Sequence, residues 1–302
     1  MKNLSPVQQA IAQHRLTDTG EVLNGRAHNR KVIGPDGNIM VLKSARIERY
    51  QLRLLLAAAL RKGYTGFKAQ KLFAPSSAVP NPEYLLLEYI EGQELKELYR
   101  TDLARAINIS KAICADYQAF VEECQKDHTL PSHIDTEHAY GWMGRVFHTW
   151  IEKIMANELL SPTEAFQLSN TLFALARQDP QNFFGFVHGN IHGEHIILDR
   201  QQQPYLLDLT VEPRPGAAFY DVLRALDFAL LEHPDPEAAL PLIIKELKLL
   251  KAQHGEAAVQ AVWALRCIGL LGVDILNNPQ KANAANYPVR EKIALAMIRG
   301  EY

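Results

Sequence analysis

A polar segment followed by two short apolar runs, residues 188–208, constrains this chain more than any other stretch. The apolar runs, 196–198 and 205–207, flank the polar turn Asp-Arg-Gln-Gln-Gln-Pro. Runs this short, bounded by turn residues, predict the two strands of a hairpin. Asp208 follows the second strand, and the polar segment before the hairpin contains His188, Asn190, His192, Glu194 and His195. The sequence therefore concentrates proton-handling and metal-binding side chains on one small structural unit.

The order of these residues resembles the catalytic loop and metal-binding strand of aminoglycoside phosphotransferases and choline kinases, which have a protein-kinase-like fold. The family typically shows His-Gly-Asp-Leu-His-x-x-Asn, a few apolar residues, and then a strand that ends in Ile-Asp. Here the same frame is His188-Gly-Asn-Ile-His-Gly-Glu-His195, followed by Leu207-Asp208. Asn190 stands where the family has its catalytic Asp, and His195 stands where it has a metal-binding Asn. The resemblance implies catalytic positions at Asn190 and Asp208, and Mg²⁺ or Mn²⁺ held by His195 and Asp208.

Residues before this segment extend the resemblance towards ATP binding. Gly25 and Asn29 fit the family's phosphate-covering loop, although Arg26 replaces a second glycine, and an ordinary surface hairpin is the alternative interpretation. Lys43 ends an apolar strand, as the family's ATP-binding lysine does. Two further residues, Glu88 and Ile90, match the hinge whose backbone holds the adenine edge.

One acid on a predicted helix supports the assignment of Lys43. Residues 45–62 form a strong helical pattern in which Glu48 is the only acid. Helical spacing places Glu48 on the apolar face that carries Leu52 and Leu55. Because a carboxylate on a buried face needs a cationic partner, we expect Glu48 to pair with Lys43, as in the kinase lysine–glutamate pair.

The distribution of strands and helices predicts an α+β fold, protein-kinase-like and two-lobed. Runs near residues 21–23, 30–33, 39–43, 67–73 and 84–90 predict a five-stranded antiparallel sheet, which the helix over 45–62 accompanies. The chain after Gly92 is mostly helical in pattern. We therefore predict an N-terminal nucleotide-binding lobe over residues 1–92. A larger helical C-terminal lobe over 93–302 would carry the catalytic loop and the substrate side.

A Pro-Arg-Pro-Gly sequence, residues 213–216, predicts a break in the chain before a helix over 217–231. Gly216 and Asp221 fit the family's Gly-x-x-x-x-Asp motif. In the family, that Asp accepts backbone hydrogen bonds from the catalytic loop, and the resemblance implies the same role for Asp221.

Composition limits the classes of partner. The net charge is −2 and no basic block is present, so we expect no nucleic-acid partner. The longest apolar run is far too short to span a bilayer, so we expect no membrane partner. The three cysteines form no Cys-x-x-Cys pair and the N-terminus lacks a signal peptide, so we expect a reduced, cytoplasmic protein. The oligomeric state is not indicated by the sequence.

Two functions fit these observations. The first is an ATP-dependent phosphotransferase that acts on a hydroxyl of a small molecule. The second is a pseudokinase, which binds nucleotide or protein without turnover. Asn190 and Arg26 favour the second function, whereas Lys43, Glu48 and Asp208 favour the first. Asn190 can orient a hydroxyl but cannot take its proton, and general-base assistance is typically worth about 10²–10⁴-fold in rate.

Two other interpretations of the polar side chains were considered. A zinc hydrolase site would use His188, His192 and His195 with Glu194, but there is no His-Glu-x-x-His sequence, and Gly189 and Gly193 argue against a helix. A pocket for a cationic substrate is the other interpretation, although aromatic residues at helical spacing are more typical of a core. Its lining would include Trp142, Trp150, Trp263, Asp227, Glu232 and Asp274.

Overall fold

The computed structural model describes residues 5–23, 29–44, 67–74, 84–130, 132, 136–178, 183–209, 214–277 and 286–299. The chain forms two compact units. Unit 1 contains Met1–Gln93 and His195–Glu212, and unit 2 contains Glu94–Glu194 and Pro213–Tyr302. Gly25, and the predicted helix over 45–62 with Glu48, lie outside the described residues.

Unit 1 begins with helix α1, Pro6–His14. The Ser5 side chain accepts a hydrogen bond from the Gln8 N–H, and the Gln8 side chain accepts one from the Ser5 N–H. This reciprocal capping satisfies two of the N–H groups that a helix start leaves without partners, and Pro6 fits the first helical position. The helix ends where Arg15 adopts a left-handed backbone with φ of 53°.

The N-terminal sheet contains five strands and is antiparallel throughout, as predicted. In sequence order its strands are β1 (Thr17–Val22), β2 (Asn29–Ile33), β3 (Ile39–Lys43), β5 (Leu72–Ala74) and β6 (Leu85–Glu88), and their spatial order is β1-β2-β3-β6-β5. The β2–β3 hairpin turns at Gly37, whose φ of +82° suits glycine. Its register places Asn29 directly opposite Lys43.

A second sheet of four strands belongs mainly to unit 1. It contains β4 (Lys68–Ala69), β7 (Gly92–Glu94), β9 (Ile196–Asp199) and β10 (Pro204–Leu206) in the order β4-β10-β9-β7. The predicted run over 67–73 is therefore divided, because β4 pairs in parallel with β10 whereas β5 pairs with β6. The β9–β10 hairpin is the one predicted from the sequence. Since it hydrogen-bonds to β4 and β7, it groups with the N-terminal segment, whereas the sequence analysis placed it in the C-terminal lobe.

Unit 2 is largely helical, as predicted. Its described helices are α2 (Leu95–Thr101), α3 (Leu103–Lys126), α4 (Thr136–Val146), α5 (Glu152–Ala156), α6 (Pro162–Gln178), α7 (Tyr220–Glu232), α8 (Pro236–His254), α9 (Glu256–Asn277) and α10 (Asn286–Ile298). A π-helical turn, Phe147–Ile151, joins α4 to α5. Among the helices that are described, none is long and apolar enough to cross a membrane.

The core of unit 2 follows the apolar face of its helices. On α3, buried residues recur three or four positions apart, at Ile113, Tyr117, Phe120 and Cys124. On α9, the indole of Trp263 is completely buried. Fully burying an apolar side chain of this size is worth about 1.5–3 kcal/mol, so these two helices contribute strongly to the stability of the unit.

A two-stranded sheet corrects the predicted break at residues 213–216. Strand β8 (Phe184–Val187) pairs antiparallel with β11 (Arg214–Ala217). Both strands are edges, where a proline is tolerated because its missing N–H interrupts no central ladder. Helix α7 therefore begins at Tyr220 rather than at residue 217.

Candidate functional site

Three predicted site residues of unit 1 lie together at the ends of strands. Lys43 ends β3 and forms an ion pair from its Nζ to Oδ1 of Asp208, which is 165 positions away in sequence. Each of these two side chains is 18% exposed. Asn29 lies directly opposite Lys43 on β2, so the two residues share one face of the sheet. We refer to Asn29, Lys43 and Asp208 as the strand-end cluster.

The backbone at Asp208 is unusual. Its φ of 61° lies in the left-handed region, which Asp tolerates better than most residues but which still carries strain. The preceding residue, Leu207, donates its N–H to the carbonyl of His195 at 2.7 Å. This bond fixes His195 and Asp208 at the open end of the β9–β10 hairpin, which is where the sequence placed them.

The hairpin end offers one carboxylate and one imidazole as possible metal ligands. No group of three or more His, Cys, Asp or Glu side chains within the described ranges forms a metal site. Mg²⁺ in phosphate-transfer sites is usually held by one or two carboxylates together with substrate phosphates and water. One carboxylate, Asp208, and a buried imidazole, His195, fit that pattern, with the imidazole favouring Mn²⁺ over Mg²⁺.

The predicted hinge residues lie at the end of strand β6 and just after it. Glu88 is the last residue of β6, and its carbonyl accepts a hydrogen bond from Gln70 Nε2 at 2.7 Å. Its N–H donates to the Lys71 carbonyl at 2.8 Å. Ile90 is buried, two residues later. Adenine binding by the Glu88 and Ile90 backbone stays a prediction.

In unit 2, Asp221 braces the polar loop that precedes the hairpin. Its two carboxylate oxygens accept the N–H groups of His188 and Gly189 at 2.8 and 2.7 Å. This arrangement confirms the role expected for Asp221. Burial raises the pKa of Asp221 to about 6, although the two backbone N–H groups and Arg224 act in the opposite direction.

Two glycines shape this loop for different reasons. Gly189 has φ of +73° with open space where a Cβ would lie, so its backbone conformation requires glycine. A Cβ on Gly193 would lie 2.5 Å from the Tyr99 ring and 2.8 Å from the Lys96 backbone. The Gly193 carbonyl accepts the Lys96 N–H at 3.1 Å, so glycine is needed there for close approach to α2.

Asn190, the residue at the predicted catalytic position, contacts an arginine. Arg224 donates from Nη2 to Oδ1 of Asn190 at 2.5 Å. Arg224 lies three residues after Asp221 on α7, so one helical turn carries both residues that organise the loop. Burial and the nearby Arg266 lower the pKa of Arg224 to about 10, which leaves its guanidinium charged at neutral pH.

Two histidines of the loop, His188 and His192, pack against aromatic side chains. His188 is buried with its ring 5.2 Å from that of Tyr117. His192 stacks on Phe228 at 4.4 Å, and its Nδ1 lies 3.4 Å from the Glu194 N–H. Glu194 itself lies 3.6 Å from Lys96 Nζ. These contacts, and the lack of a three-ligand cluster in the described part of the chain, argue against the zinc interpretation.

Unit 2 also contains a cavity of about 280 Å³. Its walls come from α4, the π-helical turn, β8, β11, α7 and α9. The charged residues among its described lining are arginines, and two of the tryptophans considered for a pocket are present. The lining residues that matter here are Trp142, Arg145, Trp150, Tyr220, Arg224 and Arg266.

The other members of the predicted cation pocket have different positions. Trp263 is fully buried, and Asp227 is fully buried against Arg266, whose Nε lies 3.0 Å from Oδ2 of Asp227. Glu232 pairs with Arg100 at 3.1 Å. The side chain of Asp274 lies outside the described set. The cavity thus presents arginines where the sequence analysis considered acids.

The sequence analysis did not identify Arg145, Arg224 or Arg266. These residues come from α4, α7 and α9, and only the packing of the helices brings them to one cavity. One local signal was present, because Arg224 follows Asp221 by three residues and must lie on a similar face of α7.

Comparison with solved structures identifies the fold. Aminoglycoside phosphotransferase APH(4)-Ia is 13% identical, with 98% of this chain and 99% of that chain covered and a TM-score of 0.62. An aminoglycoside phosphotransferase from Alicyclobacillus acidocaldarius is 14% identical, with 97% and 94% covered and a TM-score of 0.59. A thermostable mutant of APH(4)-Ia, in ternary complex with ADP and hygromycin B, is 12% identical, with 96% of each chain covered and a TM-score of 0.59.

No protein-family model matches the chain, and no curated protein matches it in sequence. The likeness therefore rests on structure. It extends over nearly the whole length of both chains and includes the antiparallel sheet of the N-terminal part and the helices of the C-terminal part. The chain has the α+β, protein-kinase-like fold of aminoglycoside phosphotransferases, which confirms the predicted fold class.

Proposed function

We propose that this protein is an ATP-dependent phosphotransferase that acts on a hydroxyl of a small molecule. The observation that carries the proposal is the ion pair of Lys43 with Asp208, two residues 165 positions apart. In kinase-like enzymes, a strand lysine binds nucleotide phosphates and a strand-end aspartate binds the metal ion. One structural neighbour was solved with ADP and hygromycin B, a nucleotide and a hydroxylated small molecule.

The strand-end cluster supplies the nucleotide side of this proposal. Lys43 places one positive charge among the phosphates, and Asn29, opposite on β2, adds an amide donor. The Nδ2 group of Asn29 would donate to a phosphate oxygen, whereas Gly25, the other predicted residue of the phosphate-covering loop, lies outside the described residues. Glu48, also outside them, remains the predicted second partner of Lys43.

Asp208 and His195 would hold Mg²⁺ or Mn²⁺. When bound, such an ion neutralises phosphate charge and orients the transferring group. Asp208 also pairs with Lys43 through Oδ1, so its carboxylate would serve the lysine and the metal ion together.

In unit 2, Asn190 would contact the molecule that accepts the phosphoryl group. Its amide can orient a substrate hydroxyl through a hydrogen bond, and Arg224 holds the amide by donating to Oδ1. Because an amide cannot take a proton, transfer would depend on positioning and charge stabilisation rather than on a general base. We therefore expect slow turnover compared with a carboxylate at this position.

The alternative is a nucleotide-binding or protein-interaction module without turnover. The hydrogen bond from Arg224 to Asn190 favours this alternative, because it engages the only side-chain oxygen of Asn190. We also expect, from the sequence, a cytoplasmic protein with neither nucleic-acid nor membrane partners.

Separate measurements of binding and turnover test the proposal. Calorimetry of the unmodified protein with ATP and either Mg²⁺ or Mn²⁺ should show saturable binding. Thermal stabilisation by hydroxylated metabolites in the presence of nucleotide would then identify acceptors, since a ligand stabilises the state that it binds. Without ATP binding, both functions that involve nucleotide are excluded. ATP binding with no transfer to any stabilising compound would support the binding module.

A further inference from the structure

The arginine-lined cavity of unit 2 indicates the charge of the acceptor. Three arginines, Arg145, Arg224 and Arg266, contribute to its lining, and no acid lies among the described lining residues. We propose that this cavity binds a small hydroxylated carboxylate, with an apolar or aromatic body, as the phosphoryl acceptor. This inference rests on the proposed phosphotransferase function and specifies its substrate class.

The acids nearest to these arginines are already engaged elsewhere. Asp227 is fully buried behind Arg266 and accepts a hydrogen bond from its Nε at 3.0 Å. Asp221 binds the loop backbone at His188 and Gly189. Neither acid is among the described lining residues, and the charged side chains that are among them are positive.

Arg224 has bonding capacity that its known partner does not use. Nη2 donates to Asn190, whereas the buried Nε has no hydrogen-bond partner among the described residues. Leaving a buried guanidinium N–H without an acceptor is unfavourable, and a carboxylate matches the planar donor fork of arginine. A ligand carboxylate in the cavity would pair with the guanidinium of Arg224, which contributes to the lining.

The balance of charge around the cavity favours a ligand group with one negative charge over a group with two. Asp221 and Asp227 both act on Arg224 through space, so they offset part of the positive charge around the cavity. A carboxylate carries a single negative charge at neutral pH, whereas a phosphate monoester carries nearly two. We therefore assign the anion as a carboxylate.

The walls and size of the cavity indicate the rest of the ligand. Trp142, Trp150 and Tyr220 provide aromatic surface, and the Trp150 and Tyr220 rings lie 6.2 Å apart at 31°. The volume of about 280 Å³ is at the lower limit of the ~300–1,000 Å³ typical of sites for drug-sized ligands. These features favour a ligand with one ring or a short apolar body.

The position of Arg224 connects the anion to the catalytic loop. Arg224 lines the cavity and donates to Asn190, and Gly189, the residue before Asn190, also lines the cavity. A carboxylate held by Arg224 would therefore place the neighbouring hydroxyl of the ligand near Asn190.

Three probes of similar shape and different charge test this inference without nucleotide. Phenyllactate carries a carboxylate and a hydroxyl, its diol analogue replaces the carboxylate with a neutral CH₂OH group, and phenylalaninol carries an ammonium group. Titration by calorimetry should show phenyllactate binding at least tenfold more tightly than either analogue. The Arg224→Gln variant should weaken phenyllactate binding by about 10- to 100-fold, since it removes a charge-assisted bond.

Matched variants distinguish the effect of removing a cavity arginine from the effect of lowering the overall charge of the protein. Arg177→Gln removes an exposed arginine of α6 that does not line the cavity and should leave phenyllactate binding unchanged. Arg224→Lys keeps the charge and should retain part of the preference for the anion. Should Arg224 variants fail to fold, Arg145→Gln provides the same comparison at an exposed lining position.

The inference is overturned by equal or tighter binding of the neutral or cationic probe, or by an absence of saturable phenyllactate binding in the millimolar range. An equal loss in Arg177→Gln and in the lining variant would also overturn it. If the protein binds ATP but does not prefer phenyllactate, the carboxylate inference fails and the phosphotransferase proposal stands. If it prefers phenyllactate but does not bind ATP, the phosphotransferase proposal fails. The cavity would then be a carboxylate-binding site whose ligand is not a phosphoryl acceptor.

Discussion

Arg224 donates a hydrogen bond to the Asn190 side chain at 2.5 Å, so the residue at the catalytic position of the loop is held by a cation. The two residues are 34 positions apart, and α7 presents Arg224 one turn after Asp221, which braces the same loop. An amide accepts a hydrogen bond from this arginine without becoming charged, whereas a carboxylate at the same place would form an ion pair with it. The contact with Arg224 therefore limits how strong a base a carboxylate at position 190 can be.

Replacement of Asn190 with Asp should increase slow ATP hydrolysis, with water standing in for the acceptor. A carboxylate can take the proton that the amide cannot, and general-base assistance supports a gain of up to about 10²-fold. Arg224 should reduce the gain, because an opposite charge nearby lowers carboxylate basicity. Phosphate release, measured at saturating ATP, gives the rate.

Two companion variants define the result. Asn190→Ala removes the amide without adding a base and should show no gain. The combined Asn190→Asp and Asp208→Ala protein should lose the gain, because Asp208 is the predicted carboxylate ligand of the metal ion. A folded, ATP-binding Asn190→Asp protein with an unchanged rate would instead support the binding module.

Replacement of Lys43 with Ala should weaken ATP binding by about 10- to 100-fold, because a charge-assisted contact to phosphate is lost. The ion pair with Asp208 is also lost, which should lower the free energy of unfolding by about 1 kcal/mol or less. Calorimetry and denaturant unfolding measure the two effects. Lys31→Ala is the matched control, since Lys31 lies on the adjacent strand β2 and pairs with Glu21. Unchanged ATP affinity in Lys43→Ala would show that Lys43 does not contact phosphate.

Much of the fold was predictable because its signals are local. The Ser5–Pro6 helix start, the turn at Gly37 and the β9–β10 hairpin each depend on a few neighbouring residues whose preferences agree with the final structure. The role of Asp221 followed from a family resemblance, and its two hydrogen bonds to the loop confirm it.

The missed features depend on contacts that distant residues make. The pairing of β8 with β11 was hidden because prolines and Gly216 are typical of breaks, and only the partner strand makes Arg214–Ala217 a strand. The cavity arginines come from three helices, so no spacing within one segment reveals them. The division of residues 67–73 into two strands likewise depends on β10, which is far along the chain.

Replacement of His195 with Asn should move metal preference from Mn²⁺ towards Mg²⁺. Imidazole is a softer ligand than an amide oxygen, and Mg²⁺ prefers oxygen. ATP affinity measured with each metal gives a ratio for each protein, and this ratio should change in favour of Mg²⁺ in the variant. His192→Asn is a useful comparison, because His192 stacks on Phe228 in unit 2. The same ratio in the His195→Asn and unmodified proteins would show that His195 is not a ligand.

Asp221 should make stability depend on pH in a particular direction. Burial raises its pKa in the folded protein to about 6, from an ordinary value of 3.8. Between these two pH values the folded state holds a proton that the unfolded state has released, so the contribution of this group to stability falls as pH rises. One pKa unit corresponds to about 1.36 kcal/mol, so the loss from pH 4 to pH 7 can reach about 2 kcal/mol.

The Asp221→Asn protein isolates this effect, because its amide does not titrate. Asn has one side-chain oxygen where Asp has two, so one backbone N–H of the loop loses its acceptor. The variant should therefore be less stable than the unmodified protein at pH 4, and this difference in unfolding free energy should narrow or reverse by pH 7. Denaturant unfolding at several pH values measures both proteins, and Glu237→Gln, which removes an exposed carboxyl at the start of α8, controls for net charge. A difference that stays constant, or widens as pH rises, would mean that the pKa of Asp221 is not raised and that its carboxylate binds the loop in the ionised form at every pH tested.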